Sequence, residues 1–217
     1  MADDLLYVYT DPGPVPEAEF NDWYDNEHVP ARLRVRGFSS VQRFRAVDEL
    51  APPWLAVYDI APGTLDTPEY KALWETASER EKSIMARMKT LERRVYQQIS
   101  EDRPATRPAP EPADGPPPVM MAVSMSVPAG GEDDVAAWYA DEHIPMLLAV
   151  PGWRRIRRYR LTAGTGPAYL SLHELDGQHV FDEDAYKAAI STPWRDRILA
   201  SAIDREKRVF GLHKSWG

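Results

Sequence analysis

The chain contains no cysteine, so disulfides, thiolate metal ligands and thiol nucleophiles are all excluded. That composition fits a reducing cytoplasm. No apolar run approaches the roughly 20 residues needed to span a bilayer. The start, MADDLLYVYT, is acidic and lacks the basic stretch and apolar core of a signal peptide. The expectation is a cytoplasmic protein without a membrane segment. Positive charge is in the minority: 26 Lys and Arg against 34 Asp and Glu give a net charge of −8. This argues against a nucleic-acid partner, because binding phosphates needs a basic surface. Arg154, Arg155, Arg157 and Arg158 cluster locally, but strand alternation divides them between two faces. G-x-G-x-x-G, P-loop and G-x-S-x-G motifs are missing, as is H-x-x-x-H or a comparable ligand spacing. Neither a cofactor nor a metal is therefore expected.

What the chain does have is a repeat. Trp23-Tyr24-Asp25-Asn26-Glu27-His28-Val29-Pro30 returns 115 positions later as Trp138-Tyr139-Ala140-Asp141-Glu142-His143-Ile144-Pro145. At the same offset Gly37-Phe38 matches Gly152-Trp153, and Arg43-Phe44-Arg45 matches Arg158-Tyr159-Arg160. Tyr70-Lys71-Ala72 matches Tyr186-Lys187-Ala188, and Glu92–Tyr96 matches Glu206–Phe210, with the offset drifting by a residue. A length of 217 residues accommodates two such units of about 100 residues with a sizeable joint core. Between them lies EDRPATRPAPEPADGPPP, residues 101–118, an extended proline-rich linker too poor in large apolar groups to build a core. The expected organisation is a first half over 1–100, the linker over 101–118 and a second half over 119–217.

Each half reads as β-α-β-β-α-β. In the first, strands are expected at Leu5–Thr10, Phe38–Val47, Trp54–Ile60 and Leu91–Ile99, with helices over Pro16–Arg36 and Tyr70–Met88. The second repeats this, with strands at Val119–Val127, Trp153–Leu161, Ala168–Leu175 and Glu206–Lys214, a helix over Glu132–Val150 and another from about Asp182. That order is the ferredoxin-like split unit, α+β in class. A four-stranded antiparallel sheet with helices on one face leaves its other face bare. The simplest remedy is that the two sheets pack together as one α+β barrel within the chain. Further homo-oligomerisation is compatible with this.

With W-Y-x-x-E-H-x-P on the first helix and R-G-F or P-G-W after it, the chain resembles the dimeric α+β barrel superfamily, its EthD-like branch above all. Relatives include muconolactone isomerases, polyketide cyclases and cofactor-free quinone-forming monooxygenases. Chlorite-dismutase-like proteins also duplicate ferredoxin-like units, but no motif of that branch stands in this sequence. The resemblance implies a small ligand held between helix and sheet.

The motif residues supply chemistry for that space. On a helix, Tyr24 and His28 share one stripe and Trp23 and Glu27 the next. Pro30 and Pro145 remove a backbone donor, so the helix should kink or restart there. His28 and His143 are candidate general bases, Tyr24 and Tyr139 candidate oxyanion donors. Glu27 and Glu142 could act as bases, orient a partner, or tie helix to sheet through Arg43, Arg45, Arg158 or Arg160. Candidate substrate contacts are Trp23, Trp138, Tyr58, His173, Arg43 and Arg158. Strand alternation places Trp54, Ala56 and Tyr58 on one face, and Tyr169, Ser171 and His173 likewise. The copies differ: Leu147 stands where the first has Arg32, and His173 where it has Tyr58. The second half therefore offers the more enclosed pocket.

The favoured function is a cofactor-independent enzyme performing isomerase, cyclase or lyase proton-transfer chemistry. Its substrate would be a small apolar oxygenated molecule of natural-product biosynthesis or aromatic catabolism. The alternatives are a non-catalytic small-molecule-binding or scaffold protein and a cofactor-free monooxygenase.

Overall fold

A computed structural model describes residues 4–105, 115 and 117–217. The chain divides into two compact units: Met1–Gln97 with Thr162–Gly164 and His213–Gly217, and Gln98–Leu161 with Thr165–Leu212.

In the first half, β1 (Asp4–Asp11) leads into α1 (Glu17–Trp23), a π turn (Tyr24–His28) and α2 (Val29–Leu33). β2 (Phe38–Ala46) and β3 (Trp54–Ile60) follow, then α3 (Pro68–Glu75), α4 (Glu79–Arg87) and β4 (Thr90–Asp102). The strands pair antiparallel in the order β4-β1-β3-β2. The second half repeats the series: β5 (Val119–Ser126), α5 (Glu132–Trp138), a π turn (Tyr139–His143), α6 (Ile144–Leu148), β6 (Trp153–Ala163), β7 (Tyr169–Leu175), α7 (Asp184–Ala189), α8 (Pro193–Ser201) and β8 (Ile203–Trp216). Its order is β8-β5-β7-β6, again antiparallel. The fold is α+β, with the eight strands and ferredoxin-like order expected.

Alternation decides which side chains meet the helices. Leu6, Val8, Trp54, Ala56 and Tyr58 pack with Phe20, Trp23 and Tyr24, and the register pairs Leu6 with Tyr58 and Val8 with Ala56. In the second half Met121 pairs with His173, Val123 with Ser171 and Met125 with Tyr169 on the helix side. The opposite faces are buried as well: Leu5, Tyr7, Tyr9, Leu55 and Val57 in one half, Met120, Ala122, Leu170 and Leu172 in the other, are all at most 4% exposed. Strands buried on both sides read as near-continuous apolar runs, as LLYVYT and WLAVYDI do.

The structure corrects two element expectations. The helix over Tyr70–Met88 is two helices, broken where Ser78 caps α4 by accepting the Glu81 N–H at 3.0 Å. The counterpart is Thr192, which caps α8 by accepting the Arg195 N–H at 3.2 Å. Side-chain caps satisfy amide groups that a continuing helix would have bonded. Secondly, β4 runs to Asp102, into the segment read as linker, and β8 runs to Trp216. Most of the proline-rich segment, 106–114 and 116, lies outside the described residues. Three arginines of the local cluster are paired: Arg154 with Asp176, and Arg155 and Arg157 with Glu174.

Candidate functional site

The motif prolines reshape the helix by a wider route than a kink. In both copies the turn before the proline is π-type, closed by Val29 N–H to the Tyr24 carbonyl and by Ile144 N–H to the Tyr139 carbonyl. A π turn brings residues five apart onto one side. Trp23 and His28 thus meet with ring centres 4.7 Å apart, and Trp138 and His143 stack at 4.2 Å. Tyr24 and His28 also meet, at 4.6 Å.

In the first half the motif is closed on itself. His28 Nδ1 lies 3.2 Å from Glu81 Oε1, and Arg32 Nη2 donates to the same oxygen at 3.2 Å. Burial, and then the Arg32 charge, lower the His28 pKa to about 3 against the opposing pull of Glu81. The imidazole is therefore neutral and donates to the carboxylate. Burial disfavours the charge on Glu81, but His28 and Arg32 outweigh it and hold its pKa low. The hydroxyls of Tyr24 and Tyr58 bond each other at 2.7 Å. The adjoining cavity, about 390 Å3 including its mouth, is lined by Trp23, Tyr24, His28, Arg32, Tyr58 and Trp74 among others.

In the second half the same positions are left open. His143 and His173, 9% and 1% exposed, each have a buried Nδ1 with no hydrogen-bond partner among the described residues. Burial, and then the Arg195 charge, lower the His143 pKa to about 3, against a backbone hydrogen bond to Ala189. Donation to that carbonyl takes one ring nitrogen and leaves Nδ1 as the lone-pair acceptor. His173 is held well below its ordinary value by burial first, then by His143 and Lys207. The Tyr139 hydroxyl accepts from Ser171 Oγ at 3.2 Å, leaving its own hydrogen for another acceptor. These groups line a cavity of about 480 Å3, mouth included, with Trp138, Tyr186 and Met121 in its walls and Arg195, Arg205 and Lys207 among its cations.

Of the sequence candidates, Trp138, Tyr139, His143 and His173 share one cavity, and Trp23, Tyr24, His28 and Tyr58 share the other. Glu27, Glu142, Arg43 and Arg158 line neither. The glutamates tie helix to helix. Glu27 accepts from Arg80 at 2.6 Å and from the cap hydroxyl of Ser78 at 3.3 Å. Glu142 accepts from the cap hydroxyl of Thr192 at 2.6 Å and from Trp138 Nε1 at 3.2 Å. The arginines lie over the motif tyrosines, Arg43 at 4.0 Å from the Tyr24 ring centre and Arg158 at 3.8 Å from that of Tyr139. Arg43 is also paired with Asp25, which occupies it on its own side of the strand. Glu81, Arg195 and Ser171 were not among the candidates. The first two sit three residues after a Ser or Thr cap, a signal the sequence does carry.

No protein-family model matches the sequence, and no curated protein is similar to it at the sequence level. The fold does have solved counterparts. An anthrone oxidase-like protein superposes with a TM-score of 0.69 at 13% identity, over 99% of this chain and 92% of that one. A proposed monooxygenase from Fusobacterium nucleatum gives 0.63 at 6% identity, over 99% and 93%. A proposed chlorite dismutase gives 0.59 at 15% identity, over 99% and 96%. At these identities the likeness extends to fold alone. Among the described residues no helix is long and apolar enough to cross a membrane, and no three His, Asp or Glu side chains gather to hold a metal.

Some proteins of this fold hold haem, which needs an axial side chain aimed into an open planar slot. His28 is tied to Glu81. His143 lies flat against Trp138, and the cavity beside it is about 480 Å3 with its mouth included. These residues do not fit a porphyrin.

Proposed function

We propose that the chain is a cofactor-independent enzyme that moves a proton on a small, apolar, oxygenated organic molecule held in the second half's cavity. His143 Nδ1 accepts the proton, and the Tyr139 hydroxyl donates to the oxyanion that forms. The observation that carries this reading is the pair of buried imidazoles without partners beside a tyrosine hydroxyl free to donate. Unsatisfied buried polar groups cost about 1–3 kcal/mol each, and the first half shows that the same positions can be satisfied within the chain. A neutral imidazole is in the protonation state a base requires. Ring opening, cyclisation, isomerisation or a lyase step would each begin from the resulting enolate or phenolate. The EthD-like branch within the superfamily, the division at residues 101–118 and a cytoplasmic location belong to the same reading.

A second reading has a specific observation behind it. The superposable structures include an anthrone oxidase-like protein and a proposed monooxygenase. The same enolate or phenolate could pass its electrons to dioxygen without a cofactor. Deuterium exchange at the acidic carbon of anthrone and of 1,3-diketone probes, followed by NMR with an oxygen electrode in parallel, tests both. Exchange without oxygen uptake supports proton transfer; exchange with stoichiometric uptake supports oxygenation. Binding of the probes at the second cavity without exchange would leave a small-molecule-binding protein.

A further inference from the structure

The two halves place opposite charges at one structural position. Glu81 and Arg195, 114 residues apart, both stand third in a helix capped by a Ser or Thr side chain, α4 behind Ser78 and α8 behind Thr192. In the first half the Glu81 carboxylate joins His28 to Arg32. In the second half Arg32 is replaced by Leu147 and Glu81 by Arg195, so the carboxylate is gone while the imidazole remains. The ion pair of Arg195 is with its exposed neighbour Asp196, at 3.5 Å. A cation in the first turn opposes the helix dipole, so helix stability does not account for Arg195. Two further changes act in the same direction: Leu91 becomes Arg205, and Arg93 is kept as Lys207. Among the described residues no Asp or Glu lines this cavity.

We propose that the second half's cavity binds a small organic carboxylate, whose anionic group pairs with Arg195, the residue standing where the first half has Glu81, and leaves the Nδ1 lone pair of His143 open. The inference rests on the reading of that cavity as the working site and names its substrate class. The Met121, Met125, Trp138 and Tyr186 walls suit an aromatic or alicyclic body behind the carboxylate. A ligand carboxylate next to His143 would favour its protonated form and so strengthen it as a base. The substrate would then complete the catalytic group.

The test uses the full chain, with 2-naphthoate and its neutral counterpart 2-naphthamide as probes, titrated by calorimetry with histidine side-chain NMR signals followed in parallel. The expected result is at least tenfold tighter binding of naphthoate and movement of the His143 signals with those of His28 unmoved. Arg195→Glu, which rebuilds the first half's arrangement, should weaken naphthoate at least tenfold, and Arg195→Lys should keep most of the affinity. If Arg195→Glu does not fold, Arg195→Gln should show the same loss. Equal affinity for the two probes, no binding of either, undiminished binding in Arg195→Glu and Arg195→Gln, or movement of His28 instead of His143 would each overturn the proposal. Because binding is read without turnover, naphthoate selectivity with no proton exchange on any probe would leave this inference standing and remove the catalytic one. Exchange on neutral substrates with no naphthoate selectivity would do the reverse.

Discussion

Lowering the pH from 7.5 to 5.5 should destabilise this protein before its carboxylates begin to protonate. Three buried histidines carry the effect. His28 and His143 are each lowered to about 3 by burial first, with Arg32 and Arg195 adding to it respectively, and His173 is held well below its ordinary value by burial. An unfolded histidine titrates near 6.5. Below that pH the unfolded chain binds protons that the folded chain refuses. The stabilising contribution is therefore complete above about pH 6.5 and is lost as pH falls from there toward 3. At pH 5.5 one such histidine costs about 1.4 kcal/mol, and three cost about 4 kcal/mol, a large share of the 5–15 kcal/mol that holds a domain folded. The lowered carboxylates, Glu81 among them, lose their contribution only below about pH 4.5, so the window above pH 5 isolates the imidazoles. Urea unfolding at pH 7.5, 6.5 and 5.5, read by tryptophan fluorescence, should show stability falling by up to 4 kcal/mol. His173→Phe should remove about a third of the slope. Stability that stays level across this range would mean the folded protein takes up protons on these rings. The picture of dry, neutral imidazoles would then be wrong, and with it the base assigned to His143.

Three other outcomes follow from the contacts. His143→Gln should lower turnover by about two to four orders of magnitude, while His28→Gln should cost stability, about 1–3 kcal/mol for the imidazole bond that Glu81 loses, and spare turnover; equal losses from both would count against divergence of the halves. Tyr139→Phe should slow the reaction by about 10²–10³ while costing stability only about 1 kcal/mol for the Ser171 bond, and a normal rate would refute the oxyanion role. Glu142→Ala should destabilise by about 1–3 kcal/mol, because buried Trp138 loses its acceptor; if thermal unfolding is unchanged and turnover collapses, Glu142 returns to the catalytic group.

Much of the fold was legible because alternation and repetition are local signals. The strand runs LLYVYT and WLAVYDI, the order of elements and the sharing of faces by Trp54, Ala56 and Tyr58 and by Tyr169, Ser171 and His173 could all be read directly. The break before α4 was legible too: Ser78-Glu79-Arg80-Glu81 is a capping-box pattern, overridden by the apolar periodicity around it. Ion-pair partners were not legible. Strand arginines are one set of partners the sequence offers Glu27, whereas Arg80, 53 residues on, holds it. Which of several arginines reaches a carboxylate depends on how α4 lies against α1, and that is a matter of tertiary packing. The π turn escaped for a related reason. A proline predicts a disturbance but does not say whether the chain kinks or widens, and only the widened turn stacks Trp138 on His143.

The chain contains its own control, because each half shows what the other could have been. Glu81 demonstrates that a carboxylate can be built beside the motif histidine, closing the hydrogen bonds of imidazole and arginine together. A sequence drifting toward stability alone would be expected to keep that arrangement twice. The second half instead carries Leu147, Arg195 and Arg205, and with them two orphaned imidazole nitrogens in a cation-lined cavity. Local departures from satisfied packing of this kind gather at functional sites. The first half then supplies rigidity: its histidine is bonded, its tyrosines are paired and its arginine is enclosed. The reading therefore divides labour between two copies of one motif, with W-Y-x-x-E-H-x-P acting as a folding device in both. Its glutamate ties the cap of the next helix in each half, and its histidine is left exposed to chemistry only where the carboxylate across from it has been taken away.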